Sequence, residues 1–235
     1  MKNPLIYIIL IIFMSASSYS QIRKKPQNLP LYDKQKLHFG FTLGINSLDF
    51  KIRNNPDLLL QDSLYTIESQ NQKGFNLGIV SNLRVSRYLD LRFIPTLVFG
   101  ERHLIYIFAD SNLSTINEKK RIESTLIDFP IYLKYKSKRY HNFRSYILLG
   151  TKYSLDIASQ EDIINTGNVI IKLKPHDLMG EIGFGMDFYL EFFKFSPQIK
   201  LSRGILNILA KDETSYTESI NNLYTNGWMF SITFE

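Results

Sequence analysis

From Leu37 to Ile45 the chain alternates residue by residue. Leu37, Phe39, Phe41, Leu43 and Ile45 fall on one face; His38, Gly40, Thr42, Gly44 and Asn46 fall on the other. A period of two predicts a strand with one apolar face. The same beat recurs in residues 73–86, 88–99, 124–135, 143–156, 178–189, 193–203 and 227–235, which makes eight stretches. In 178–189 the apolar parity is even (Leu178, Ile182, Phe184, Met186, Phe188), against Glu181, Gly183, Gly185 and Asp187. Bulky apolar side chains on one face, with glycine, serine, threonine and charge on the other, suit a barrel whose outer wall meets lipid. A soluble barrel or sandwich turns its bulk inward instead. Pro130 cannot donate to a ladder, so a bulge or a local gap in pairing is expected there.

The intervals between these stretches are long at 47–72, 100–123, 157–177 and 204–226, and short at Ser86-Arg87, 136–142 and 190–192. Outer-membrane barrels alternate long outer loops with short periplasmic turns and use an even strand number. The predicted fold is therefore all-β: an eight-stranded antiparallel up-and-down transmembrane β-barrel of outer-membrane type over residues 36–235. Both termini are expected in the periplasm. Tyr135, Tyr153, Trp228 and Phe234 near strand ends fit interfacial aromatic girdles.

The N-terminus adds a compartment. Lys2 precedes an apolar run from Leu5 to Met14, followed by small and polar residues up to Ser20. This is the layout of a secretion signal over residues 1–20, with cleavage before Gln21. A membrane anchor is the alternative, but a run of about ten residues is too short to span a bilayer. No cysteine occurs, which excludes a disulfide scaffold, a thiol nucleophile and a lipidated cysteine. No later stretch reads as a membrane helix, which leaves a closed barrel as the spanning solution. Residues 21–35, with two prolines and several charges, read as an extended periplasmic arm.

Charge and chemistry narrow the function less sharply. The net charge of +6 is spread over lumen and loops, with Arg23-Lys24-Lys25 the one compact basic cluster near the mature terminus, so no nucleic-acid partner is expected. Arg84, Asp90, Arg92, Asp128, Lys134, Arg144, Lys152, Glu181, Asp187, Lys194 and Lys200 share the inward parity. An eight-stranded lumen is just wide enough to be filled by side chains. These residues are expected to form a neutralising network, since a buried charge is costly unless paired. Glu181 and Asp187 are expected to pair with Lys152 or Arg144 on one side and Lys194 or Lys200 on the other. Gly183 and Gly185 make room inside. His38, His103, His141 and His176 have no metal-ligand spacing, and no catalytic constellation, cofactor site or small-molecule substrate site is predicted. Leu29, Leu31 and Tyr32 belong to a short apolar patch of the largely polar arm, and are candidate contacts for a partner.

Three segments carry a family resemblance: NLPLYDKQKLHFGFTLGIN (28–46), IDFPIYLKYKS (127–137) and LMGEIGFGMDFYLEFFKFSPQIKLSRGILNIL (178–209). They resemble PorT, a family of outer-membrane β-barrels of the type IX secretion system. The resemblance implies a non-enzymatic component needed for protein export and, in gliding bacteria, for export of motility adhesins. It implies outer-membrane lipid and other type IX components as partners, and no catalytic residues. A small diffusion barrel or a structural membrane protein is the alternative. A barrel enzyme would need a serine, a histidine and an acid at one rim.

Overall fold

The computed structural model describes residues 26–55, 64–109, 115–159, 171–210 and 215–235. The expected signal, residues 1–20, and the first part of the arm lie outside them. Among the described residues nine strands follow one another: β1 (Leu37–Asn54), β2 (Leu64–Arg84), β3 (Leu89–Phe93), β4 (Thr96–Ala109), β5 (Thr115–Lys136), β6 (Phe143–Asp156), β7 (His176–Tyr189), β8 (Lys194–Gly204) and β9 (Ile220–Phe234). Every pairing is antiparallel, and β1 pairs with both β2 and β9, so the sheet closes on itself. Strands β3 and β4 both lie between β2 and β5. They form one stave interrupted at Ile94 and Pro95, and the barrel has eight staves. Closure satisfies the backbone groups that hydrocarbon cannot.

The alternation in the sequence becomes the wall. Phe39, Phe41, Ile45, Phe75, Ile79, Ile131, Leu149, Ile182 and Leu201 are all exposed on the outer surface. Aromatic pairs cross the strands on this face. Phe41 stacks on Phe234 at 5.0 Å across the β1–β9 seam, and Phe75 stacks on Phe99 at 4.6 Å between β2 and β4. Such cross-strand contacts fix register as well as adding stability. Pro130 causes no register shift: it sits opposite Lys152 of β6 in unbroken register. On its other side it faces the break between β3 and β4, where the Ile94 amide reaches its carbonyl at 3.4 Å. The outcome is a local gap, with two prolines sharing one interruption of the ladder.

The long intervals are not simple loops. β1 runs on to Asn54, and β2 begins at Leu64, so much of 47–72 is paired strand; the same holds for 100–109 with 115–123. In these extensions the inward residues are largely apolar, with Arg102 buried among them. Phe50, Ile67, Leu104, Tyr106 and Ile122 pack with Ile171, Leu173, Ile208, Leu209, Ile220 and Leu223 into one buried cluster. Residues 171–175 and 205–210 fold over this end, with Leu173 and Leu209 joined by a β-bridge. The long-loop end of the barrel is thus closed by a hydrophobic lid.

Candidate functional site: a filled lumen and a latched arm

Between that lid and the opposite mouth the lumen is packed with charge. Lys134 Nζ lies 2.9 Å from Asp187, with both side chains essentially buried. Lys152 Nζ bridges Asp128 at 3.0 Å and Glu181 at 3.1 Å. Glu181 also accepts hydrogen bonds from the Tyr132 and Ser202 hydroxyls, and Lys200 donates to the Tyr132 hydroxyl at 3.1 Å. Lower down, Lys136 meets Asp90 at 2.5 Å, and Asn82 donates to the same carboxylate at 3.0 Å. Arg92 is fully buried and pairs with Glu235. Partnered in this way, charges that would each be costly alone are tolerated. Glu181 therefore takes a partner on the neighbouring strand, whereas Asp187 reaches Lys134 two strands away rather than Arg144 or Lys194. A lumen this narrow lets side chains cross it.

Glycines and aromatics set the packing of the network. A Cβ on Gly185 would stand 2.4 Å from the Tyr146 ring, and one on Gly150 would stand 2.7 Å from the Tyr132 ring. Each glycine makes room for a tyrosine that reaches inward from the next strand. The Tyr146 ring lies 3.6 Å beneath Lys134 Nζ, and its hydroxyl donates to Gln198 at 3.0 Å. Nearer the lid, Arg102 covers the Phe50 ring at 4.2 Å and donates to Ser124 at 2.5 Å.

The arm closes the short-turn mouth. A single 3-10 turn over Tyr32–Lys34 turns the Tyr32 side chain back into the barrel. Its ring stacks on His38 at 3.9 Å and meets Tyr189 edge-on at 5.7 Å. Its hydroxyl donates to Glu235 at 2.6 Å and accepts from Lys194 at 2.7 Å. Burial, and then the negative charge of Asp187, push this hydroxyl's pKa above the usual phenol value. One residue on, Asp33 pairs with Arg144 at 3.0 Å and Arg139 at 3.4 Å. Burial raises its pKa, but the two guanidinium charges outweigh that and hold the carboxyl below its ordinary value. Arg139 also donates to the Asn28 and Leu29 carbonyls, and lies over the Tyr189 ring at 3.6 Å. Asn142 accepts the Asn28 amide at 2.9 Å.

The three arm candidates therefore differ in placement. Tyr32 is inside the mouth, Leu29 is half-buried with a positive φ of 47°, and Leu31 points outward at 62 % exposure. Arg84 shares the inward parity but lies at the rim, where its Nε faces the Ser86 carbonyl at 3.4 Å, apart from the buried network. Several participants escape the sequence argument, Lys136, Glu235, Arg139 and Asn142 among them. Lys136 and Glu235 carry the right parity at strand ends, whereas Arg139 and Asn142 look like ordinary turn residues until the arm is seen to lie on them. Of the rim histidines, His103 meets Glu101, and His176 meets the Tyr153 hydroxyl at 2.7 Å. Among the described residues neither bonds to a serine.

A closed ring of eight staves, apolar outside and polar within, defines a transmembrane β-barrel of the outer-membrane type. Residues 19–210 match the outer membrane protein beta-barrel domain family, and the chain belongs to that family. Among solved structures it is similar to Neisserial surface protein A (NspA), with 10 % identity and a TM-score of 0.43, covering 85 % of this chain and 98 % of that one. It is also similar to OprG of Pseudomonas aeruginosa (16 %, TM-score 0.43, 84 % and 92 %). A third is Ail, the attachment invasion locus protein of Yersinia pestis (12 %, TM-score 0.38, 85 % and 99 %). No curated protein matches the chain in sequence.

Proposed function

We propose that the protein is a non-enzymatic component of the type IX secretion machinery that serves export of secreted proteins and, in gliding bacteria, motility adhesins. It acts by contact at its ends and not by passage through its lumen. The assignment to secretion is supported by the sequence resemblance at residues 28–46, 127–137 and 178–209. The contact role rests on one observation: the lumen is filled by paired charges and shut at both ends. Tyr32, Lys194 and Glu235 close one mouth, and the Phe50–Leu223 cluster closes the other. A diffusion barrel needs an open, hydrated path. In this reading the short turns, the arm and Glu235 face the periplasm. Leu29 and Leu31 are the arm's contacts for another type IX component, and Tyr32 is its anchor.

The test is genetic. Deletion of the gene should abolish export of type IX cargo, and the wild-type gene should restore it. A strain carrying Leu29→Ala and Leu31→Ala, with barrel abundance in the outer membrane checked first, should export poorly. Normal export after deletion would remove the secretion role, and normal export by the double variant would remove the arm's share in it. A large, stable conductance from the purified protein in a planar bilayer would favour the diffusion barrel.

A further inference from the structure

Apart from Arg23-Lys24-Lys25 and Lys119-Lys120-Arg121 the basic residues are scattered along the sequence, yet the fold gathers a cluster. Beside the latched arm, at the short-turn mouth, lies a cavity of about 250 Å³ lined by Arg84, Arg87, Lys138, Arg139, Arg144 and Asp33. Five cations there face one carboxylate. Arg84 and Arg87 come from the end of β2 and the turn after it, and Lys138 and Arg139 come from the turn between β5 and β6. Asp33 satisfies Arg139 and Arg144. Among the described residues Arg84, Arg87 and Lys138 hold no ion pair. The Arg87 guanidinium lies 5.5 Å above the exposed Tyr88 ring, which keeps it at the cavity's edge.

We propose that this pocket binds the carboxylates of an acidic segment of a protein partner that approaches from beneath the barrel. Asp33 shows how a carboxylate is received there: presented on a 3-10 turn, it is held by the Arg144 guanidinium at both oxygens, at 3.0 and 3.1 Å, the paired geometry in which arginine and carboxylate bind best, and Arg139 adds a contact at 3.4 Å. The remaining cations can accept further acidic side chains. Position argues against a lipid headgroup. Arg84 and Arg144 point inward, while their neighbours Leu83 and Phe143 are exposed on the outer wall. The pocket thus opens to the water under the barrel and not to the bilayer. The inference rests on the contact role proposed above, and it adds the chemistry of the partner.

The test uses the full mature chain refolded in a zwitterionic detergent, with hexa-aspartate peptide as the probe, measured by titration calorimetry. The peptide should bind, and its affinity should fall with added salt. The variant carrying Arg87→Ala and Lys138→Ala alters exposed turn side chains, and its folding is checked by heat-modifiable gel mobility. Its affinity for the peptide should be at least about tenfold weaker. Absence of binding, or equal binding by the folded variant, would overturn the proposal. Glycerol 3-phosphate is the competing probe for a phospholipid headgroup. If it binds more tightly than the peptide and loses that binding in the same variant, the site is a lipid site and the proposal fails. Because this measurement uses purified protein, it can fail while the deletion strain still loses export, and the reverse also holds.

Discussion

Replacing Lys134 by methionine keeps the length of the side chain and removes its charge. In the wild type, Lys134 Nζ sits 2.9 Å from both oxygens of Asp187, and the two side chains are 0 % and 1 % exposed. After the substitution Asp187 keeps the Ser196 hydroxyl at 2.7 Å but has lost its cation. Breaking a buried pair from one side costs about 3–5 kcal/mol, because the remaining charge is stranded. Asp187→Asn strands Lys134 in the same way and should cost a similar amount. The double variant strands nothing, so it should be no less stable than the worse of the two singles. Urea unfolding in detergent, followed through Trp228, the single tryptophan of the chain, reads the three free energies. If each single variant stays within about 1 kcal/mol of wild type, or if the double loses the sum of the two, then water reaches the lumen and the pair is not the buried unit described.

The outer wall gives a second expectation: Ile131→Arg places a charge in the apolar belt and should cost about 2–4 kcal/mol of folding free energy, read by urea titration in lipid vesicles. Gly185→Val should destabilise by about 1–3 kcal/mol in urea titration, because its added atoms overlap the Tyr146 ring. The latch should depend on pH through Asp33. Its carboxyl is held below the ordinary value of 3.8, so the arm's docking is fully supported at neutral pH and weakens only as pH falls below about 4; protease cleavage of the arm at graded pH measures this, and cleavage that accelerates already at pH 6 would contradict it. Tyr32→Ala should speed arm cleavage at neutral pH while leaving the heat-modifiable mobility of the barrel unchanged.

The wall is legible because lipid imposes a single rule on every outward position from Leu37 to Ile45, and the rule survives in all eight stretches. The strand extensions are not, for a physical reason. Beyond Asn46 the two-residue beat continues, but its meaning inverts: Leu48, Phe50 and Ile52 pack into buried apolar clusters, while Asp49 and Lys51 between them are polar and not buried. A search for outward bulk ends the strand where the membrane ends. Within the lumen, parity identifies which side chains meet but not which ones pair, since Lys134 and Asp187 are separated by a whole strand. The basic pocket is hidden further, because Arg87 and Lys138 belong to different turns and nothing in either turn refers to the other. Arg139 shows the same limit: its terminal guanidinium nitrogens donate to an arm about 110 residues away in sequence.

The seat of Tyr32 has a consequence for the order in which the molecule is made. Its ring rests on His38 of β1 and Tyr189 of β7, and its hydroxyl on Lys194 of β8 and Glu235, which follows β9. Asp33 beside it needs Arg144 of β6. No partial barrel offers this set of partners, because Glu235 takes its place only when β9 has joined β1. The segment synthesised before every strand is therefore the one that must dock after all of them. A docked arm is a record that the ring has closed, and a partner that recognises the docked form would engage finished barrels and pass over those still assembling.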